Sequence, residues 1–90
     1  MGVIRLTGRM TCAPHEIDIA RAALPEHIRL SRAEAGCLSF DVTETAPGAF
    51  TVSESFADRA AFDAHQTRTR ASDWWRATGH MPREFTVTEG

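Results

Sequence analysis

Ninety residues make a single domain, and a domain of this size buries only somewhat over ~60% of the surface its unfolded chain exposes, so its core is modest and pairing with a second copy would relieve it. With 42% hydrophobic and 24% charged residues and a formal net charge of -2, the chain is globular in composition rather than disordered, and its charge disfavours nucleic acid as a partner. No apolar run is long enough to cross a membrane, and MGVIRLTGRM carries Arg5 and Arg9 where a secretory leader needs an apolar core, so mature structure and a cytoplasmic location are expected.

Residues 3 to 12 alternate, with Ile4, Leu6, Gly8 and Met10 on one face and Arg5, Thr7, Arg9 and Thr11 on the other, which predicts a half-buried strand. Pro14 suits the first turn of a helix. Ile17, Ala20, Leu24, Ile28 and Ser31 continue it at helical spacing to about Ala35, where Gly36 stops it; Pro25 predicts a kink or break inside. A second strand spans 37 to 45 with Leu38, Phe40 and Val42 inward, and APGA at 46 to 49 turns the chain into a third strand over 50 to 56. Asp58 is an N-cap for a helix to about Gln66, a further helical piece runs from Ser72 to Thr78, and residues 83 to 89 alternate as a fourth strand. The order β-α-β-β-α-β predicts a ferredoxin-like α+β fold, a four-stranded antiparallel sheet with helices over one face, as one domain over residues 1–90. Its opposite face is mostly Thr, Ser, Arg, Asp and Glu.

Several residues along this frame can carry chemistry. Glu54 is the charged residue on the apolar face of the third strand, so its carboxyl must be paired or have its pKa raised. His65 follows Phe62 by three and Ala61 by four, which sets all three on one side of a helix and makes His65 the best general-base candidate. Trp74 and Trp75 are the only tryptophans; adjacent on a helix they point about 100° apart, so one is expected to line a pocket while the other packs. Arg68, Arg70 and Arg76 can stabilise an oxyanion or merely form a solvated face. Cys12 and Cys37 are distant in sequence and read as reduced structural thiols, and His15, His27 and His80 lack metal-ligand spacing.

The segments SRAEAGCLSFDV and FTVSESFADRAAFDAHQ resemble the antibiotic biosynthesis monooxygenase family of small dimeric α+β barrel proteins. The similarity rests on the acidic residue and Gly-Cys before strand two, Glu54, Phe56, Asp58 and His65. It implies a homodimer whose two sheets pack face to face, with a pocket in each subunit between sheet and helices. In that pocket His65 and Glu54 would be catalytic, and Phe40, Phe56, Phe62, Trp74 and Trp75, with Arg68 and Arg70 near the mouth, would bind a small aromatic substrate. It also implies oxidation of a quinol-like or polycyclic phenolic compound by O2 with no metal or flavin cofactor. The haem-degrading branch uses an Asn and an axial His; this chain has no Asn, and tryptophan stands near where that His would align. Two other functions remain open: a binding dimer without catalysis, and a cyclase or isomerase acting on a polyketide-type carbonyl compound.

Overall fold

The computed structural model describes residues 2–90. The chain runs β1 (Ile4–Thr11), a separate 3₁₀ turn (Pro14–Glu16), α1 (Ile17–Arg32), β2 (Cys37–Ala46), β3 (Ala49–Phe56), α2 (Arg59–Arg70), α3 (Asp73–Thr78) and β4 (Arg83–Glu89). All strand pairs are antiparallel, in the spatial order β2-β3-β1-β4. The ferredoxin-like α+β order expected from the sequence is therefore present, with α1, α2 and α3 layered on one face.

α1 differs from expectation at both ends and in its middle. Pro14 heads its own 3₁₀ turn, and the helix then continues through Pro25 without a break. Pro25 lies on the exposed side, where the helix carbonyl its missing N–H leaves unpaired is open to water. Buried Ala20, His27 and Ser31 on the opposite side hold both halves against their neighbours. The helix ends at Arg32, and Gly36 belongs to the turn beyond it. Gly36 has φ +84°, and a Cβ there would lie 2.5 Å from the Cβ of Ala61, so only glycine lets the turn pass this close to α2. In the hairpin, Gly48 at φ +79° follows Pro47 in the two-residue connection between β2 and β3, which fits a type II turn.

Leu38 does not point inward. Cys37 pairs with Phe56 and Ser39 with Ser55, so Leu38 is the extra residue of a β-bulge and is 58% exposed, while Cys37 takes the inward place against the core. Phe85 and Val87 share the covered face with Gly8 and Leu6, but β4 is an edge strand and leaves both partly exposed.

The core falls into two apolar groups. Ile4, Leu6, Val52, Phe56 and Phe62 form one; Met10, Ala20, Phe50, Trp74 and Met81 form the other. A chain of ring contacts, Phe56 to His65 to His27 to Trp74, joins them at centroid separations of 4.8, 6.1 and 4.9 Å. Two histidines thus occupy the middle of a small hydrophobic core, where unpaired polar atoms are costly.

Candidate active site

α2 is started by the Asp58 carboxylate, which accepts from the Ala61 N–H at 2.8 Å. Its buried stripe is Phe62, His65 and Thr69, the spacing of one helical face, and it turns His65 under the sheet until only 2% of it is exposed. The turn after α1 brings Glu34 to the same place. His65 Nδ1 lies 2.6 Å from Glu34 Oε1, and Arg68, one turn further along α2, donates from Nε to Glu34 Oε2 at 2.8 Å and from Nη2 to Ser31 Oγ at 2.9 Å. Burial pushes the Glu34 carboxyl up, but hydrogen bonds from Arg68 and His65 outweigh it and hold the group below its usual range. An ionised Glu34 accepts from Nδ1–H, which assigns the His65 tautomer and leaves Nε2 as the basic nitrogen.

Nε2 faces β3. Glu54 Oε1 is 3.4 Å away, out of line for a hydrogen bond, and Thr69 Oγ1 is also at 3.4 Å. Glu54 is 6% exposed and Oε1 has no hydrogen-bond partner. Burial, reinforced by the charge of Glu34, raises its pKa to about 7. Burial also lowers the pKa of His65, against the opposing pull of Glu34. A carboxylic acid that keeps its proton up to about pH 7 therefore sits beside an imidazole that stays neutral there and is oriented from behind, the usual arrangement of an acid and a base set apart by their surroundings.

His27, from α1, stacks on Trp74 with ring planes 6° apart and meets Phe40 edge-on at 5.2 Å. Its Nδ1 is buried without a partner, and burial, with His65, Arg68 and Arg83 nearby, drives its pKa down to about 3. It is a neutral ring in the wall and offers no base strength.

A cleft of about 210 Å³ opens over this group, with Glu54, His65 and Leu6 inside and Trp75, Arg70 and Phe85 toward the rim. A void of about 30 Å³ lined by Phe40, Trp74 and Phe50 shares Glu54, His27, Arg83 and Phe85 with it. Trp75 thus lines the cleft and Trp74 is packed in the core, 8% exposed. Phe40 lines the void, and Phe56 backs the His65 ring. Phe62 and Arg68, both expected at the pocket, are placed elsewhere: Phe62 packs edge-on against Phe56, and Arg68 is held by Glu34 and Ser31 facing a groove of about 490 Å³ between α1 and α3. Arg76 is exposed and paired with Asp73.

Three residues of the site received no role in the sequence reading. Glu34 was visible only as the acidic residue before Gly-Cys. His27 completes the helical stripe Ala20, Leu24, His27, Ser31, a signal that was available. Arg83 shares the β4 face of Phe85 and Val87, which marks it as a cation on the covered side. Among the described residues no group of three or more His, Cys, Asp or Glu is placed to hold a metal ion, and no helix is long and apolar enough to cross a membrane.

A family model described as antibiotic biosynthesis monooxygenase matches residues 3–81. No curated protein matches the sequence. Among solved structures, Rv0793 from Mycobacterium tuberculosis is similar at 27% identity over 98% of this chain and 94% of that one, with a TM-score of 0.77. A candidate antibiotic biosynthesis monooxygenase from Nitrosomonas europaea aligns over 100% of this chain and 92% of its own at 20% identity and TM-score 0.86; another, from Deinococcus radiodurans, aligns over 98% and 91% at 24% and 0.77. At those identities the likeness speaks for the fold alone. Matched by the family model over most of its length and sharing its fold with these structures, the chain belongs to the antibiotic biosynthesis monooxygenase family.

Proposed function

We propose that this protein is a cofactor-independent monooxygenase that oxidises a small quinol-like or polycyclic phenolic substrate with O2 in the cleft over His65. The observation that carries this reading is the ordered line Glu34–His65–Glu54. Glu34 fixes the ring at 2.6 Å, Nε2 is left as a base, and a protonated carboxyl stands beside it. In this mechanism His65 Nε2 takes the proton of a substrate C–H or O–H, and Glu34 stabilises the imidazolium that results. Protonated Glu54 donates a hydrogen bond to a substrate oxygen as negative charge collects there. The electron-rich substrate carbon reduces and bonds O2. For a methylene carbon, loss of water from the adduct leaves a ketone, so one oxygen atom is retained and the other leaves as water. Trp75, with Arg83 and Arg70 over its ring at 4.9 and 6.0 Å, and Phe85 give the cleft an aromatic wall for such a substrate.

An oxygen electrode tests this with metal-stripped protein against hydroquinones, naphthoquinols and anthrones. Uptake above the autoxidation rate is expected, with one labelled atom in the product under ¹⁸O2. No uptake across the panel would defeat the proposal.

A second reading is favoured by one observation: an acid with a pKa of about 7 next to an oriented base is also the equipment of an isomerase or cyclase that moves protons on a carbonyl compound. Product formed without O2 would mark it, and tight binding with no conversion in either gas phase would mark a binding dimer.

The homodimer is also part of this proposal. The sheet face turned away from the helices presents Thr7, Arg9, Asp41, Thr43, Thr51 and Ser53, all exposed, a polar surface suited to meeting a twin sheet by hydrogen bonds and ion pairs. Sedimentation equilibrium is expected to give twice the 9.9 kDa chain mass; a monomer at micromolar concentration would refute the pairing. Reduced Cys12 and Cys37, both unpaired thiols, are compatible with a cytoplasmic setting.

A further inference from the structure

Arg83 opens β4 and lines both the cleft and the void behind it. Its Nη1 donates to the carbonyls of Thr78 at 2.7 Å and Met81 at 3.0 Å, and its Nη2 donates to Thr78 Oγ1 at 2.8 Å. All three acceptors are neutral. Among the described residues no carboxylate pairs with Arg83, whereas Arg21, Arg29, Arg32, Arg68 and Arg76 each have one. Burial lowers its pKa from the ordinary arginine value. A half-buried cation left without a counter-charge is costly, so a compensating anion is missing from the site as it stands.

The guanidinium has five N–H donors in a rigid plane. The three bonds above leave Nε–H and the second Nη2–H, which lie side by side and parallel, the pair that grips both oxygens of one carboxylate. Its Cζ lies over the Trp75 ring, 4.9 Å from the centroid, so the indole packs against the guanidinium on that side. A lone phenolate offers one oxygen to these donors; a carboxylate offers two at the matching spacing.

We infer that the cleft takes a carboxylated aromatic or enolic acid, held by Arg83 Nε and Nη2 through its carboxylate, with its ring along Trp75 and Phe85 and its acidic proton toward His65. Glu54, being protonated below about pH 7, does not repel this anion in slightly acidic solution. Exposed Arg70 at the rim adds attraction from a distance. A cleft of about 210 Å³ suits a one- or two-ring acid. The inference rests on the proposed placement of the active site, but it concerns recognition and is testable without turnover.

The test is anaerobic calorimetry at about pH 6 with 1-hydroxy-2-naphthoate and its uncharged isostere 1-hydroxy-2-naphthamide. Wild-type protein is expected to bind the acid about 10- to 100-fold more tightly than the amide. Arg83→Gln should abolish that preference, and Arg83→Lys should keep part of it, because an ammonium retains the charge but not the fork. Equal binding of acid and amide by the wild type, no binding of either at millimolar concentration, or a preference that survives in a folded Arg83→Gln protein would each overturn the inference. Since the wild-type comparison needs no variant, it holds even if Arg83→Gln fails to fold. Oxygen uptake with neutral quinols alongside equal binding would overturn the carboxylate inference and leave the oxygenase reading standing; acid-selective binding without uptake on any substrate would do the reverse.

Discussion

Replacing His65 by alanine is expected to lower the rate of oxygen uptake by ~10²- to 10⁴-fold, the usual worth of a positioned general base. His65→Gln should lose as much, because glutamine keeps the volume beneath Phe56 and Phe40 but has no basic nitrogen. Glu34→Gln should cost nearly as much: Arg68 Nε–H claims the single amide oxygen, the amide NH2 then donates to Nδ1, and the ring proton moves to Nε2, so the base is lost. The pH profile separates these roles. His65 works as a base only when neutral, and its pKa is lowered, so the rising limb of activity should be centred below the ordinary histidine value of 6.5. Glu54 works as a donor only when protonated, so activity should fall again as pH rises through about 7. Glu54→Gln retains a donor and should remove the falling limb alone. Unchanged turnover in a His65→Ala protein with native circular dichroism would end the proposed role.

Acid is expected to destabilise the wild-type fold through His27. Its folded pKa is about 3 against 6.5 for the free side chain, so between those values the unfolded chain takes up a proton that the folded chain refuses. The stabilisation is complete above about pH 6.5 and is lost as pH falls toward 3, by an amount on the order of 4 kcal/mol. That is a large share of the stability of a 90-residue domain. His65, also lowered, contributes in the same direction. Glu54 acts in the opposite sense: its folded pKa of about 7 lies above the usual 4.5, so the folded state binds its proton more tightly and acidification through that window adds stability. His27→Phe isolates the first effect, since phenylalanine can stack on Trp74 and has no orphaned Nδ1. On going from about pH 7 to pH 4 the urea midpoint should fall less, or rise more, in the variant than in the wild type, because Glu54 and His65 act equally in both and only the His27 loss is removed. Identical pH dependence in the two proteins would show that His27 is not the acid-sensitive group.

These two histidines show where the sequence was informative. His65 was legible because helical spacing from Phe62 tied it to an apolar face, and a polar ring on such a face needs an explanation. His27 lies on an equally regular stripe, yet on the sequence alone it counts only as a histidine without metal spacing, and its burial depends on Trp74 arriving from a helix 47 positions further along the chain. Glu34 is a turn residue with no periodicity to mark it; the fold of the turn at Gly36 against Ala61 is what carries it to His65.

Local patterns were enough to settle the strand and helix order, the hairpin at Pro47 and Gly48, and hence the ferredoxin-like α+β class, because alternation of two and spacing near 3.6 are short-range properties of the backbone. Pro25 and Leu38 escaped them: a helix tolerates proline where its lost bond faces water, and a one-residue bulge inverts inward and outward for a whole strand end. Which arginine reaches the cleft was likewise decided by tertiary structure. Arg68 and Arg70 stand close to His65 in sequence, but Arg68 is spent on Glu34 and Arg70 stays exposed at the rim, while the half-buried Arg83 comes from the edge strand laid beside β1. Pairing of charges depends on distances across the fold, and those are set by packing of elements far apart in the chain.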